Sequence, residues 1–190
     1  MSEASIKGLA IQPIVELAHE LLESGRVSRE QLEARLQAPD LRLLDEKVEP
    51  TLWYPIASAP RIETFVAEVL GRDVAEMMRE IGVAAAKRTL SQAATRSLIE
   101  GARTHGERMG HIVVGLGKLI VNFGEWRFEG DPFGEFRLDA TEVEPFPETT
   151  RHATEGFIEV LAKELTGCDV AASSRRPTPS HIVFEARVAA

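Results

Sequence analysis

Cysteine is nearly missing from this chain: Cys168 is the single one, so no intramolecular disulfide forms and a zinc site of several thiolates is excluded. A reducing compartment suits such a composition. Also missing is any apolar run near the roughly 20 residues that cross a bilayer. The opening Met-Ser-Glu-Ala-Ser-Ile-Lys lacks the basic-then-apolar order of a secretion signal. The expectation is a cytoplasmic protein without membrane insertion. Positive charge is in deficit, 22 basic residues against 30 acidic for a net charge of −8, and such a field repels phosphate backbones and anionic lipid. Nucleic acid is therefore not an expected partner.

Catalytic signatures are absent as well. No Gly-x-Ser-x-Gly elbow occurs, and Gly115-Leu116-Gly117-Lys118 lacks the preceding glycine spacing of a phosphate loop. His105 and His111 stand six apart, a spacing that does not share a helical face, and Glu100 and Glu107 beside them make no zinc pattern. Asp139, Glu142 and Glu144 are candidate paired carboxylates, but Asp139 falls on the wet side of an expected strand and nothing nearby desolvates it. The sequence thus argues against an enzyme.

What is present is enough apolar material for one core: 190 residues, 44% of them hydrophobic, in the size range of one domain spanning 1–190. Charge is unevenly spread. Glu125 to Glu148 holds eight carboxylates against Arg127 and Arg137, whereas Arg72 to Lys118 holds eight basic residues and five acidic ones. That polarity would orient a partner or a second copy, or be no more than a mixed solvated surface.

The hydrophobic period changes once, near Gly124, dividing a helical part (1–124) from a β-hairpin, helix, β-hairpin part (125–190). Ile11, Ile14, Val15, Ala18, Leu21 and Leu22 recur at helical spacing, with Gly25 placed to close the helix. Ser28-Arg29-Glu30-Gln31 has the form of a capping box opening a second helix that ends before Pro39. Leu52-Trp53-Tyr54-Pro55 reads as an apolar connector with Tyr54 extended. Ser58 then caps a helix from Ala59, Asp73 caps another through Leu90, Ser91 or Gln92 opens one to about Ala102, and Met109 to Phe123 forms a last helix. Its Gly110, Gly115 and Gly117 weaken it, or let another backbone come close.

Beyond Gly124, Trp126 and Phe128 alternate with Arg127 and Glu129, and Phe136, Leu138 and Ala140 with Arg137, Asp139 and Thr141. Thr149 or Thr150 caps a helix with Ile158, Leu161 and Leu165 buried, and Gly167 ends it. Cys168–Ala172 and His181–Val188 pair around the 175–179 loop, with Ile182, Phe184, Ala186 and Val188 facing the core. The fold class is α+β: a helical N-terminal two-thirds packed on a four-stranded antiparallel sheet formed by two hairpins flanking a helix.

This order of elements, with Leu52-Trp53-Tyr54-Pro55-Ile56, Gly71-Arg72-Asp73-Val74-Ala75, Gly156-Phe157-Ile158-Glu159, Gly167-Cys168 and Phe184-Glu185-Ala186-Arg187-Val188, resembles the superfamily of heme-NO-binding-like, 4-vinyl-reductase-type and TRAPP subunit domains. More narrowly it is similar to the paralogous heme-NO-binding-like family of myxobacteria. The resemblance implies a pocket between helices and sheet, holding a heme or small apolar ligand in some relatives and packed shut for protein contact in others. Heme-holding members use a proximal histidine and a Tyr-x-Ser-x-Arg motif. Here the only tyrosine, Tyr54, is followed by Pro55-Ile56-Ala57-Ser58, while His105 and His111 lie near the region of the proximal histidine.

The cofactor expectation is accordingly none, with heme allowed by resemblance but unsupported by motif. His105, His111, Trp53 and Tyr54 are weak cofactor-binding candidates against surface or core roles, no catalytic or metal residue is expected, and Cys168 is a candidate modified thiol or else a small buried hydrophobe. The leading expectation is a non-enzymatic regulatory or protein-interaction domain in signalling, with a protein partner or homodimer. A sensor of a small apolar ligand or heme is the alternative. A transcription regulator with a helix-turn-helix over Val27 to Val48 is the third, opposed by that segment's acidic balance.

Overall fold

The computed structural model describes residues 3–91, 107–130 and 135–188. The apolar stripe read from Ile11 onward lies on helix α1 (Gly8–Glu23), which begins three residues earlier than its first stripe residue. Its N-cap, Lys7, offers no side-chain bond. Instead the loop before β2 supplies carbonyls: Gly8 N–H donates to Leu52 O at 2.9 Å and Leu9 N–H to Pro50 O at 3.0 Å, satisfying donors that a helix start leaves open. Only glycine fits there, since a Cβ on residue 8 would lie 2.0 Å from Glu49 O.

Ser28 opens α2 (Arg29–Arg35) through the expected capping box with Gln31. This helix ends before Pro39, as expected. Leu36 is extended and a separate helix, α3 (Ala38–Asp45), starts with Pro39 in its first turn, because proline there is preorganised and costs no hydrogen bond. Buried Asp40 receives two bonds of 2.6 Å from Arg61, so this ion pair fixes α3 against α4 (Ala59–Leu70). Ser58 lies in a short 3₁₀ turn and makes no cap bond to α4, contrary to expectation. Asp73 does cap α5 (Val74–Leu90), accepting from Glu76 N–H at 2.9 Å. Ser91 is the C-cap of α5, and the rest of the helix expected to about Ala102 falls outside the described residues.

Two short strands were not anticipated: β1 (Ser5–Lys7) and β2 (Trp53–Pro55) pair antiparallel. Three residues are too few for an alternating pattern to be visible. After α6 (Glu107–Ile120), Asn122 stitches the helical part to that small sheet. Its N–H donates to Ser5 O at 3.2 Å, its Oδ1 accepts from Ser5 N–H at 2.7 Å, and its Nδ2 donates to Glu3 O at 3.0 Å.

The second part is as expected in kind: β3 (Glu125–Gly130), β4 (Phe136–Thr141), α7 (Glu148–Thr166), β5 (Val170–Thr178) and β6 (His181–Val188), with a four-stranded antiparallel sheet ordered β3-β4-β6-β5. Its register sets Trp126 opposite Ala140, Leu138 opposite Phe184 and Ala172 opposite Ala186, all on the buried face. Val188 is the exception, 40% exposed at the strand end. Pro147, not Thr149 or Thr150, is the N-cap of α7, and Gly167 ends the helix at φ 76°.

Helices α5 and α7 cross at unusually close range. A Cβ on Gly82 would sit 1.8 Å from Ala153 O, and one on Gly156 would sit 2.1 Å from Arg79 O, so each helix lays a glycine against the other's backbone. Beside the crossing, Arg79 donates to Glu155 at 2.9 Å, and to Glu159 and Ala172 O at 2.5 Å each. Glu159 accepts from Ala172 N–H at 3.0 Å, and Arg151 donates to Ser174 O at 3.1 Å. Side chains of α5 and α7 thereby occupy backbone groups of edge strand β5.

Candidate functional site

Gly110 and Gly117 are seven residues apart and fall on one face of α6. That face is turned to β3: a Cβ on Gly110 would lie 2.8 Å from the Phe128 ring, and one on Gly117 would lie 2.8 Å from Trp126. What comes close to these glycines is therefore two aromatic side chains rather than another backbone. Gly115, by contrast, has open space around it.

Behind that contact lies a cavity of about 40 Å³, walled by Val113 and Gly117 of α6, Trp126 and Leu138 of the sheet, and Ile158 and Leu161 of α7. Thr154 also lines it, but its hydroxyl donates to Thr150 O at 3.0 Å. Trp126 is held on two sides. Phe184 lies nearly parallel to it with ring centres 6.3 Å apart, and Phe146 meets it edge-on at 6.2 Å. Its indole Nε1–H is buried and has no hydrogen-bond partner among the described residues. Buried donors are normally paired, so this one stands out.

A second buried polar group is Glu63 on α4, 3% exposed. Thr150 Oγ1 donates to one of its oxygens at 3.3 Å, while its Oε2 has no partner among the described residues. Burial pushes this carboxyl up to about 7, against the opposing pull of the Thr149 and Thr150 hydroxyls. Among the described residues no cation compensates it, unlike Asp40, where burial also pushes upward but Arg61, Ser58 and the Gln37 N–H together hold the carboxyl below its ordinary value.

The residues singled out from the sequence lie elsewhere. His111 is exposed on α6 and does not line the cavity. Trp53 is 42% exposed, with Lys7 Nζ 4.0 Å over its ring. Tyr54 spends its hydroxyl oxygen as an acceptor for Glu49 N–H at 2.8 Å. These two are neighbours in β2 and do not meet His111. Cys168 is exposed in the turn after α7, so it is not the buried hydrophobe entertained above. His105 lies outside the described residues. Asp139 sits on the open face of the sheet, bound by Arg137 at 2.5 and 2.7 Å and by His181 at 2.7 Å. Arg137 and then His181 hold its carboxyl below the ordinary range, against burial.

Sequence reasoning passed over Trp126 as a donor and Glu63 as a buried acid. The signal for Glu63 was its place beside Ile62 and one turn before Val66 in an apolar stripe. For Trp126 there was none, because an unpaired indole becomes visible only when its surroundings are known.

A heme requires an axial ligand and a large cavity. Among the described residues no histidine, cysteine or tyrosine lines this cavity, and no group of three or more His, Cys, Asp or Glu could hold a metal ion. Ligand pockets for drug-sized molecules run to about 300–1,000 Å³, so about 40 Å³ does not admit a porphyrin. The described residues do not make a heme site.

No family model matches the sequence, and no curated protein matches it. Solved structures do. An Fe(II) unliganded H-NOX protein mutant from K. algicida is 8% identical and covers 97% of each chain with a TM-score of 0.67. A mutant of the T. Tengcongensis H-NOX is 14% identical over 96% of this chain and 97% of its own, TM-score 0.58. An oxygen-binding H-NOX domain related to soluble guanylate cyclases, in its oxygen complex, is 14% identical over 96% and 95%, TM-score 0.58. These likenesses run through nearly the whole chain and show an H-NOX-like fold.

Proposed function

We propose that this chain is a signalling domain of the H-NOX-like fold, without catalysis of its own, that senses a small apolar ligand held between α6, α7 and the sheet and passes the occupied state to a protein partner. The observation that carries this reading is the cavity at the helix–sheet junction, walled almost wholly by apolar side chains. The oxygen complex of a structure sharing the fold supports it. Packing around the cavity gives a route outward: α6 rests on the aromatic rings of β3 through its glycines, so a ligand that moves Trp126 moves α6. Among the described residues no helix is long and apolar enough to cross a membrane.

The test is to purify the full chain from native cells, record its absorption spectrum, extract and identify bound small molecules by mass spectrometry, and titrate the emptied protein with hemin. A stoichiometric extracted occupant without a Soret band is the expected result. A Soret band that survives gel filtration would replace the apolar ligand by heme. A chain with no occupant, no hemin uptake and no response to dissolved apolar molecules would be an interaction module, and the sensor reading would fall.

A further inference from the structure

We infer that Glu63 and the first turn of α7 form a proton-operated latch: the contact between α4 and α7 is closed while the Glu63 carboxyl is a neutral acid and is released when that carboxyl ionises. The latch does not depend on what fills the cavity.

On α4, Glu63 is flanked by Ile62 and Val66, both fully buried. Glu63 Oε2 and Thr149 Oγ1 are buried without a hydrogen-bond partner among the described residues, although the Thr149 hydroxyl is near enough to act on the carboxyl. Buried polar atoms are normally paired. A proton on Oε2 supplies the donor missing between these two, while Thr150 Oγ1 goes on donating to the other carboxyl oxygen at 3.3 Å. Charged groups on the elements packed around α4 are engaged elsewhere: Asp40 with Arg61, His19 with Leu44 O, Arg79 with Glu155 and Glu159, Glu148 with Arg151, and His152 with Glu155. Burial acts most on Glu63 and pushes its carboxyl up to about 7, and only the two threonine hydroxyls oppose it.

Ionisation reverses the balance, because a bare carboxylate then faces two hydroxyls in an apolar setting. Spare donors lie at the start of α7. A helix start leaves its first N–H groups open, and Pro147 at the N-cap offers no side-chain acceptor. Bringing those N–H groups, or water, to the anion requires the first turn of α7 to leave its seat on α4. Because the folded carboxyl is raised, the latch is closed below about 7 and lost as pH rises through that value. Thr154, Ile158 and Leu161, on the turns that follow, wall the cavity, so the latch sets how firmly that wall is held.

The test uses the full chain and Glu63→Gln, which mimics the neutral acid. Infrared difference spectra, parent minus variant, should show at about pH 6 the carbonyl stretch of a protonated carboxylic acid, and the band should be nearly gone by about pH 8. Over the same interval, hydrogen exchange is followed in α7 and corrected for the intrinsic rate of free peptide amides. Amides 151–154 of the parent should lose at least about tenfold in protection, while amides 162–166 at the far end of the helix keep theirs. Glu63→Gln should hold its protection at both ends. Absence of the carbonyl band at about pH 6 would mean that Glu63 is already ionised, and would overturn the latch. A band that titrates without loss of protection at 151–154, or with equal loss at 162–166, would overturn it as well. If the variant fails to fold, the parent's own comparison of the two ends of α7 decides the matter.

Discussion

Glu63 shows how much one misplaced charge can matter. Its carboxyl ordinarily ionises near 4.5, and burial pushes it up to about 7. The folded state therefore binds more protons than the unfolded one between those values, and stability is lost as pH rises through about 7. The whole window is worth about 3 kcal/mol at most. Glu63→Gln cannot ionise, so its urea-unfolding free energy should stay nearly flat from pH 5 to pH 8 while that of the parent falls. At pH 8 the variant should be the more stable by about 2 kcal/mol. A parent whose stability rises over that interval would show the carboxyl to be stabilised in its charged form. At this scale the sequence was a poor guide. Trp53, Tyr54 and His111 stand out by type, yet they are exposed or committed to local bonds. The residue that matters at the cavity, Trp126, reads from its alternation as ordinary core.

Among the helices, the glycines sort into two kinds with opposite consequences. Gly82→Ala and Gly156→Ala would each drive a methyl into the facing helix's backbone, so each should destabilise the fold by about 3 kcal/mol. The double variant should cost less than the sum, because one separation of α5 from α7 relieves both clashes. Gly115→Ala meets open space and should instead stabilise by about 0.5–1 kcal/mol, the helix-propensity difference. Thermal melts of the four variants test this, and a destabilised Gly115→Ala would contradict the packing described for α6. Element type was largely legible: the capping box at Ser28, the cap at Asp73 and the stop at Gly167 are chemical signals that act locally. Boundaries were less so. Pro39 follows the end of one helix but lies in the first turn of the next, α3, which the buried Asp40–Arg61 pair fixes against α4.

Across the whole molecule, the change of period near Gly124 announced the division into helices and sheet, and the strands of the four-stranded sheet, unlike β1 and β2, are visible in the alternation. How the end of α6 is tied back to β1 was not legible, since it depends on Asn122 reaching residues 3 and 5, more than a hundred positions away. Asn122→Ala removes both side-chain bonds and should cost about 1 kcal/mol. Hydrogen exchange should speed up at Ser5, whose N–H loses its acceptor, and much less within α7. Unchanged protection at Ser5 would mean that the β1–β2 pairing alone suffices to hold the strand.

The way α5 and α7 furnish Ala172 and Ser174 with side-chain partners has a bearing on assembly. An incoming extended peptide would find those positions on β5 already engaged, and would have to displace two arginines and a glutamate to zip on. Recognition by strand addition is thus discouraged along that margin, and any companion protein would do better to address the molecule through its helices or the charged outer surface of its sheet.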